Sequence, residues 1–311
     1  MFKRITLFVL TNLAVMLTLG ILFSVLSAVT PLGAWMNANG MSLGPMMAIC
    51  LFWGMGGSFI SLLMSRWIAK KGTGAQVLDP ATASGDEAWL LSTVYRLAKD
   101  AGISTMPEVG IYPSPELNAF ATGPTRNKAF VAVSEGLLAS MNKGEIEGVL
   151  GHEMSHVANG DMVTMTLVQG VVNAFVMFLA WILTLALTQA MRGKDERRSE
   201  GFGAYMLRSL VHQAIYMALM FGAVILIIGP FSRWREFQAD AGGAKRSGKE
   251  RMISALEALK SYRDRSDAAK AEAQAAAASP ALSAFKISGS WNSLMSTHPP
   301  LEERIARLRS L

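Results

Sequence analysis

Charge is scarce in this sequence, and cysteine is almost absent. Only 17% of the 311 residues are Asp, Glu, Lys or Arg, against roughly 25% in soluble domains. The shortfall is concentrated: none of these four occurs from Ile5 to Ser65, from Met162 to Met191, or from Ser209 to Ser232. Without acidic residues inside those runs, there is no side-chain path for a transported ion or proton, which argues against a transporter. Cys50 is the single cysteine, so no internal disulfide can form, and its apolar setting points to packing. Histidine is rare as well, and two of the four histidines stand four residues apart.

The uncharged runs are long enough to cross a bilayer, which takes about 20 apolar residues. The first holds two crossings, with Pro31, Gly33, Asn37, Asn39 and Gly40 marking the turn between them. The other two hold one each. The expected architecture is a mainly α integral membrane protein with four hydrophobic helices and one soluble domain. The divisions are a hairpin over 1–66, a first soluble part over 67–161, a second hairpin over 162–232 and a second soluble part over 233–311. A cleavable signal peptide over Met1–Thr30 is the alternative, but this apolar stretch exceeds a usual 7–15-residue core and a second one follows.

The net charge of +6 does not indicate nucleic acid. The basic residues flank the hydrophobic helices: Lys3 and Arg4, then Arg66, Lys70 and Lys71, then Arg233 and Arg235. This is the pattern of segments held at the inner face of a membrane beside anionic lipid. It puts the N-terminus and the soluble domain on the cytoplasmic side. The loop from Arg192 to Arg208, with five Lys or Arg against three acids, is unusual for an outer loop. The second hairpin therefore either crosses fully or is re-entrant.

The chemistry is concentrated in His152-Glu153-Met154-Ser155-His156. On a helix, residues four apart share a face, so both imidazoles can reach one metal ion, and imidazole nitrogen suits zinc. Glu153 borders that metal without binding it, where a general base can take a proton from an activated water. Asn159-Gly160 is a helix stop, so the motif is expected in the last turns of a short helix. A catalytic zinc needs a third protein ligand. Glu236 is the candidate, with Asp240 one turn on to hold a ligating histidine by a hydrogen bond. Two apolar runs separate His156 from Glu236, so both lie on one side of the membrane. A structural zinc in a non-catalytic scaffold is the competing reading, but it needs no base and normally has a fourth protein ligand.

Around this motif, Asp86–Ala101 has the spacing of an amphipathic helix. Pro107–Tyr112, Asn118–Gly123 and Lys128–Val133 read as strands of a small antiparallel sheet, with a turn at 124–127. Asn118, Ala119, Phe120 and Ala121 belong to the candidate edge strand, able to hold an extended peptide by backbone hydrogen bonds; an ordinary hairpin is the plain alternative. Arg251–Tyr262 reads as a helix, Asp264–Pro280 as an Ala-rich excursion or weak helix, and Leu301–Leu308 as the final helix. His298 either donates to an oxyanion or packs at the start of that helix. His212 is expected to be neutral and bonded within the apolar helices.

Laid out in order, these segments resemble the bacterial HtpX membrane zinc metalloproteases, relatives of the type-1 CAAX prenyl endopeptidases. The resemblance runs through the uncharged N-terminal pair, Asn118–Gly123, His152–His156 continuing to Thr166, Arg235–Asp240 and Thr297–Pro300, and so covers nearly the whole chain. It implies a cytoplasmic α+β gluzincin-like protease domain with one zinc on His152, His156 and Glu236, and Glu153 as base. It also implies an endopeptidase of the bacterial inner membrane, acting on membrane proteins and peptides in membrane-protein quality control, with processing of lipidated peptides as the alternative within the class. Gln238 departs from relatives that often carry His there, at a position between the ligand Glu236 and Asp240.

Overall fold

The computed structural model describes residues 43–191, 202–277 and 298–311, together with Ile21, Ser24 and Val25. Apart from Ile21, Ser24 and Val25, the first of the four expected hydrophobic helices lies outside the described residues, as do the turn after it, the basic loop before Phe202 and residues 278–297. In chain order the elements are α1 (Leu43–Thr73), β1 (Gln76–Val77), α2 (Gly85–Asp100), β2 (Glu108–Tyr112), β3 (Ala119–Thr122), β4 (Phe130–Ser134), α3 (Glu135–Ser140), α4 (Lys143–Asn159), α5 (Asp161–Met191), α6 (Phe202–Ala223), α7 (Gly229–Ser247), α8 (Lys249–Ala277) and α9 (Leu301–Ser310). Two compact units result, one of Met1–Ser61 with Met165–Ile228 and the other of Leu62–Thr164 with Gly229–Leu311.

The first unit is apolar helix. Among the described residues, three helical stretches are long and apolar enough to cross a membrane: Gly44–Thr73, Asp161–Thr188 and Phe202–Ser247. α1 and α5 touch backbone to backbone, since a Cβ at Gly54 would sit 2.5 Å from Ala174 N; small residues permit such approach where lipid supplies no hydrophobic drive. Cys50 is buried with Met46, Met47, Phe178 and Ile182. His212 Nδ1 lies 3.1 Å from Thr184 Oγ1, whose own hydroxyl donates to Ala180 O at 2.7 Å, so the threonine accepts from the imidazole. α6 runs into α7 through a π-helical turn at Val224–Ile228. Pro230 supplies the cause: it has no N–H to donate, and its ring crowds the carbonyl four residues back, so the ladder shifts register.

The second unit is a sheet covered by helices. Its strand order is β1-β2-β4-β3. The sheet is mixed, and this corrects the antiparallel sheet expected from the sequence: β2 and β4 run parallel, while β1·β2 and β3·β4 are antiparallel. β4 is the reason. Phe130 to Ser134 are all buried, an apolar run that suits a central strand covered on both faces. It therefore pairs on both sides, leaving β3 outermost. Glu108, at the start of β2, bridges Arg66 and Lys70 near the end of α1.

α4 is longer than the short helix expected from the sequence. It starts at a reciprocal cap, with Asn142 Oδ1 accepting from Glu145 N at 3.0 Å and Glu145 Oε2 accepting from Asn142 N at 2.9 Å. It presents three different faces. Ile146, Leu150, Met154 and Val157 enter the core with Leu90, Val94 and Leu97 of α2 and Val131 and Val133 of β4; fully burying a leucine is worth about 1.5–3 kcal/mol. Gly148, Gly151 and Ser155 form a second, small-residue face against α7 and α8. A Cβ at Gly148 would come 2.5 Å from Arg251 O, and one at Gly243 of α7 would come 3.0 Å from His152 N. The third face carries Val149, His152, Glu153 and His156, and it lines a cavity. The Ala-rich stretch expected as a weak helix or excursion continues α8 as far as Ala277.

Candidate metal centre

Two helices meet at the third face of α4. From α4 come His152 and His156; from α7 comes Glu236, buried on the same stripe as Asp240, Gly243 and Ser247. The two imidazoles stand edge to face, with Nε2 to Nε2 at 3.2 Å. Each Nε2 is 3.4 Å from a Glu236 oxygen, His152 from Oε2 and His156 from Oε1. The opposite ring nitrogens are held from behind. Asp240 Oδ1 is 2.8 Å from His152 Nδ1, and Asp161 Oδ2 is 2.6 Å from His156 Nδ1. These carboxylates accept the Nδ1 protons, which leaves both Nε2 lone pairs aimed at the same point.

A metal ion fits this donor set. His152, His156 and Glu236 offer ligand atoms all within 4.8 Å of one another. Bonds of ~2.0–2.1 Å at tetrahedral angles separate donor atoms by about 3.3 Å, close to the spacings seen here. Glu236 is 4% exposed, and among the described residues its Oε2 makes no aligned hydrogen bond, although His298 Nδ1 stands 2.9 Å away. A buried carboxylate oxygen in that condition suits a cation. The local field does too: burial opposes a charged imidazole at His156, yet Asp161, Glu236 and Glu153 outweigh it and lift its pKa to about 9. His152 is raised despite its burial, through Asp240 and Glu236.

Arg304 of α9 closes the back of the site. It donates to both Asp240 oxygens and lies 3.9 Å from Glu236 Oε2. Burial acts against its charge, but Asp240 and Glu236 keep its pKa raised. Arg235 Nε lies 3.3 Å from Asp161 Oδ2. Glu153 lines the cavity together with the two imidazoles, Asn118, Ala119, Phe120, Ala121 and His298. His298 is 62% exposed, so one face of it meets solvent.

Of the residues singled out from the sequence, His152, Glu153, His156, His298 and the 118–121 strand line one cavity, and Glu236 and Asp240 are buried against its two imidazoles. Sequence reasoning missed two others. Asp161 follows the left-handed Gly160, whose φ is 69° and ψ 36°; that conformation ends α4 and starts α5 at once, folding the Asp161 carboxylate back onto His156. Arg304 had a legible signal. Leu301, Arg304, Ile305 and Leu308 share one helical stripe, and an arginine on an apolar stripe needs a buried partner.

The model of the family described as Peptidase family M48 matches residues 84–311. The chain is 46% identical over 314 residues to the Protease HtpX homolog of Methylacidiphilum infernorum, covering 100% of this chain and 99% of that protein. It is 47% identical over 312 residues to the Protease HtpX of Aeromonas hydrophila, covering 99% of each. Among solved structures, that of S. mikatae Ste24p matches with a TM-score of 0.59 and 18% identity over 99% of this chain and 67% of that one; this likeness is one of fold.

Proposed function

The chain belongs to peptidase family M48, and we propose that it is a zinc-dependent endopeptidase of the bacterial inner membrane. In this reading it hydrolyses peptide bonds of misfolded or damaged membrane proteins, in membrane-protein quality control and stress response. That it is a membrane metalloprotease follows from its family and its full-length relatives. The observation that carries the rest is the convergence of two Nε2 lone pairs and a buried carboxylate at 3.2–3.4 Å beside Glu153.

His152, His156 and Glu236 would hold the ion. Two imidazoles and a carboxylate, leaving one position open, match a catalytic zinc rather than a structural one. Zinc, when bound, supplies Lewis acidity that polarises the scissile carbonyl and acidifies a water. Glu153 takes the proton of the attacking water and delivers it to the leaving amine nitrogen, acting first as base and then as acid. Asp240 and Asp161 fix the imidazole tautomers. His298 donates a hydrogen bond to the carbonyl oxygen as it gains charge. The substrate lies extended against β3, which has no strand on its outer side among the described residues, so main-chain hydrogen bonds hold it with little demand on sequence. Four crossings with the site on the cytoplasmic side are supported by the basic residues that flank the apolar runs.

Glu153→Gln in the full-length protein tests this. The variant keeps its metal and its fold but loses proteolysis by more than the roughly 10²–10⁴-fold of simple acid–base catalysis, because one carboxylate serves two proton transfers. Near-normal cleavage by this variant would overturn the mechanism.

A further inference from the structure

A second cavity lies within the apolar unit, between α5 and α6. It encloses about 400 Å³, inside the roughly 300–1,000 Å³ range of sites for small ligands. α5 contributes Trp181, Thr184 and Leu185, and α6 contributes Tyr205, Arg208, Ser209 and His212. Both sets recur at three- and four-residue spacing, so each is one helical stripe. The floor is buried: Leu185 is 2% exposed and Thr184 4%. Thr184 is fixed there, donating to Ala180 O and accepting from His212 Nδ1. The rim is open. Tyr205 is 62% exposed, Ser209 is exposed, and Trp181 and Arg208 are half-buried. These four bring a phenol, a hydroxyl, an indole N–H and a guanidinium to one opening. Among the described residues that line it, none is acidic.

Depth along the helices decides what can reach this rim. At 1.5 Å per residue, Trp181 stands about 30 Å along α5 from Asp161, and Arg208 stands about 37 Å back from Arg233. A bilayer has a hydrocarbon core about 30 Å thick, and about 40–45 Å with its headgroup layers. Counted from the charged residues that flank the two apolar runs, the tryptophan falls at the edge of the hydrocarbon and the arginine among the headgroups. Aromatic side chains with a polar tip collect at that edge. The charge of the connecting segment agrees, with five Lys or Arg against three acids from Arg192 to Arg208.

We propose that the cavity between α5 and α6 is a binding site for the headgroup of an acidic phospholipid. The Arg208 guanidinium takes the phosphate, because its planar fork of five N–H donors matches phosphate oxygens. Tyr205 and Ser209 supply hydroxyls that donate to the phosphate or pair with hydroxyls of a glycerol headgroup. Trp181 lies beside the upper part of the acyl chains, and the His212–Thr184 bond below holds the two helices at the spacing that the headgroup needs. The absence of an acidic partner at the rim sets the selection. A zwitterionic headgroup brings an ammonium that gains nothing from these residues and is repelled by Arg208, whereas a headgroup of net negative charge leaves nothing uncompensated. Basic pockets between membrane helices are suited to acidic lipid in this way. The site is separate from the donor set on α4 and α7 and does not depend on the endopeptidase reading.

The test is native mass spectrometry of the full-length protein in mild detergent, with phosphatidylglycerol and phosphatidylcholine of matched acyl chains added in equal amounts. The unmodified protein should retain one phosphatidylglycerol in preference to phosphatidylcholine. Arg208→Gln should weaken that retention by about tenfold or more, the effect of losing a charge-assisted hydrogen bond. Arg208→Lys should fall between the two, since it keeps the charge and loses the fork. Arg126→Gln, at an exposed arginine of the peptidase unit, should leave retention unchanged. Should Arg208→Gln fail to fold, Tyr205→Phe combined with Ser209→Ala reads the same pocket, with a loss of about fivefold. Retention that is equal for the two lipids, or equal in the unmodified protein and the folded pocket variant, overturns the proposal. A parallel sample with millimolar inorganic phosphate distinguishes the source of the anion. Phosphate that displaces the lipid completely, or that is itself retained with the same dependence on Arg208, makes the ligand a free anion and overturns the lipid assignment; phosphatidylglycerol that stays bound against it supports the proposal.

Discussion

Arg304 grips Asp240 with two parallel hydrogen bonds, Nη2 to Oδ1 at 2.6 Å and Nε to Oδ2 at 2.8 Å. Asp240 in turn holds His152, so the orientation of a candidate metal ligand is set from the last described helix. Asp240 is 2% exposed and Arg304 6%. Breaking such a buried pair from one side costs about 3–5 kcal/mol. Arg304→Met should therefore lower the unfolding temperature and also weaken metal binding by about 10–100-fold. Arg304→Lys should recover only part of both, since an ammonium cannot reproduce the planar fork. Chelator competition with the purified variants measures the second effect, and unchanged metal affinity in Arg304→Met would refute this role.

Asp161 supports the other imidazole. Asp161→Ala should weaken metal binding by about 10–100-fold, with the fold retained because Gly160 still ends α4. The same competition assay applies. If Asp161→Ala matches the parent protein while Asp240→Ala does not, then only one of the two histidines depends on a supporting carboxylate.

Gly148 is expected to tolerate no side chain. The Arg251 carbonyl and the Ala255 methyl would lie 2.5 and 2.9 Å from an added Cβ, and backbone cannot rotate away as a side chain can. Gly148→Ala should cost roughly 1–3 kcal/mol, as overpacking does, and should push α8 away from α4. Thermal unfolding in detergent reads the stability loss. Gly144→Ala is the control, because the groups nearest its Cβ are side-chain atoms of Asn142 and Arg251 at 3.2 and 3.8 Å.

Sidedness is testable with exposed positions from the two chain stretches of the peptidase unit. Cysteines at Ser84 and Glu250, in a Cys50→Ser background, should both be shielded from an impermeant thiol reagent applied outside intact cells, and both should react once the membrane is permeabilised. Labelling of both from outside would reverse the proposed orientation. Labelling of one alone would contradict the shared cavity.

What could be read from the sequence was whatever recurs at helical spacing or follows from local chemistry. His152 and His156 are four apart on one helix, as are Glu236 and Asp240, and the left-handed Gly160 follows Asn159 as a helix stop should. The apolar spans were visible as missing charge. Strand pairing was not, because the direction in which β4 meets β2 depends on where the chain returns after the β3 hairpin, and periodicity carries no such record. The Arg304 contact is set by the docking of α9 on α7 and α8, sixty-four residues from Asp240. The cavity, lined in part by α8, is likewise a product of α8 packing on α4. Both belong to tertiary structure, and the sequence offered for them only an arginine on an apolar stripe.

The peptidase unit is made of two stretches, Leu62–Thr164 and Gly229–Leu311, with an apolar stretch threaded between them. This division sets an order in time. A growing chain that has emerged as far as Thr164 already carries both imidazoles and Glu153, yet it has no Glu236 to complete the donor set. Asp240 arrives with α7, and Arg304 only with α9. The proposed donor set is therefore completed only after the apolar stretch between the two parts has been synthesised.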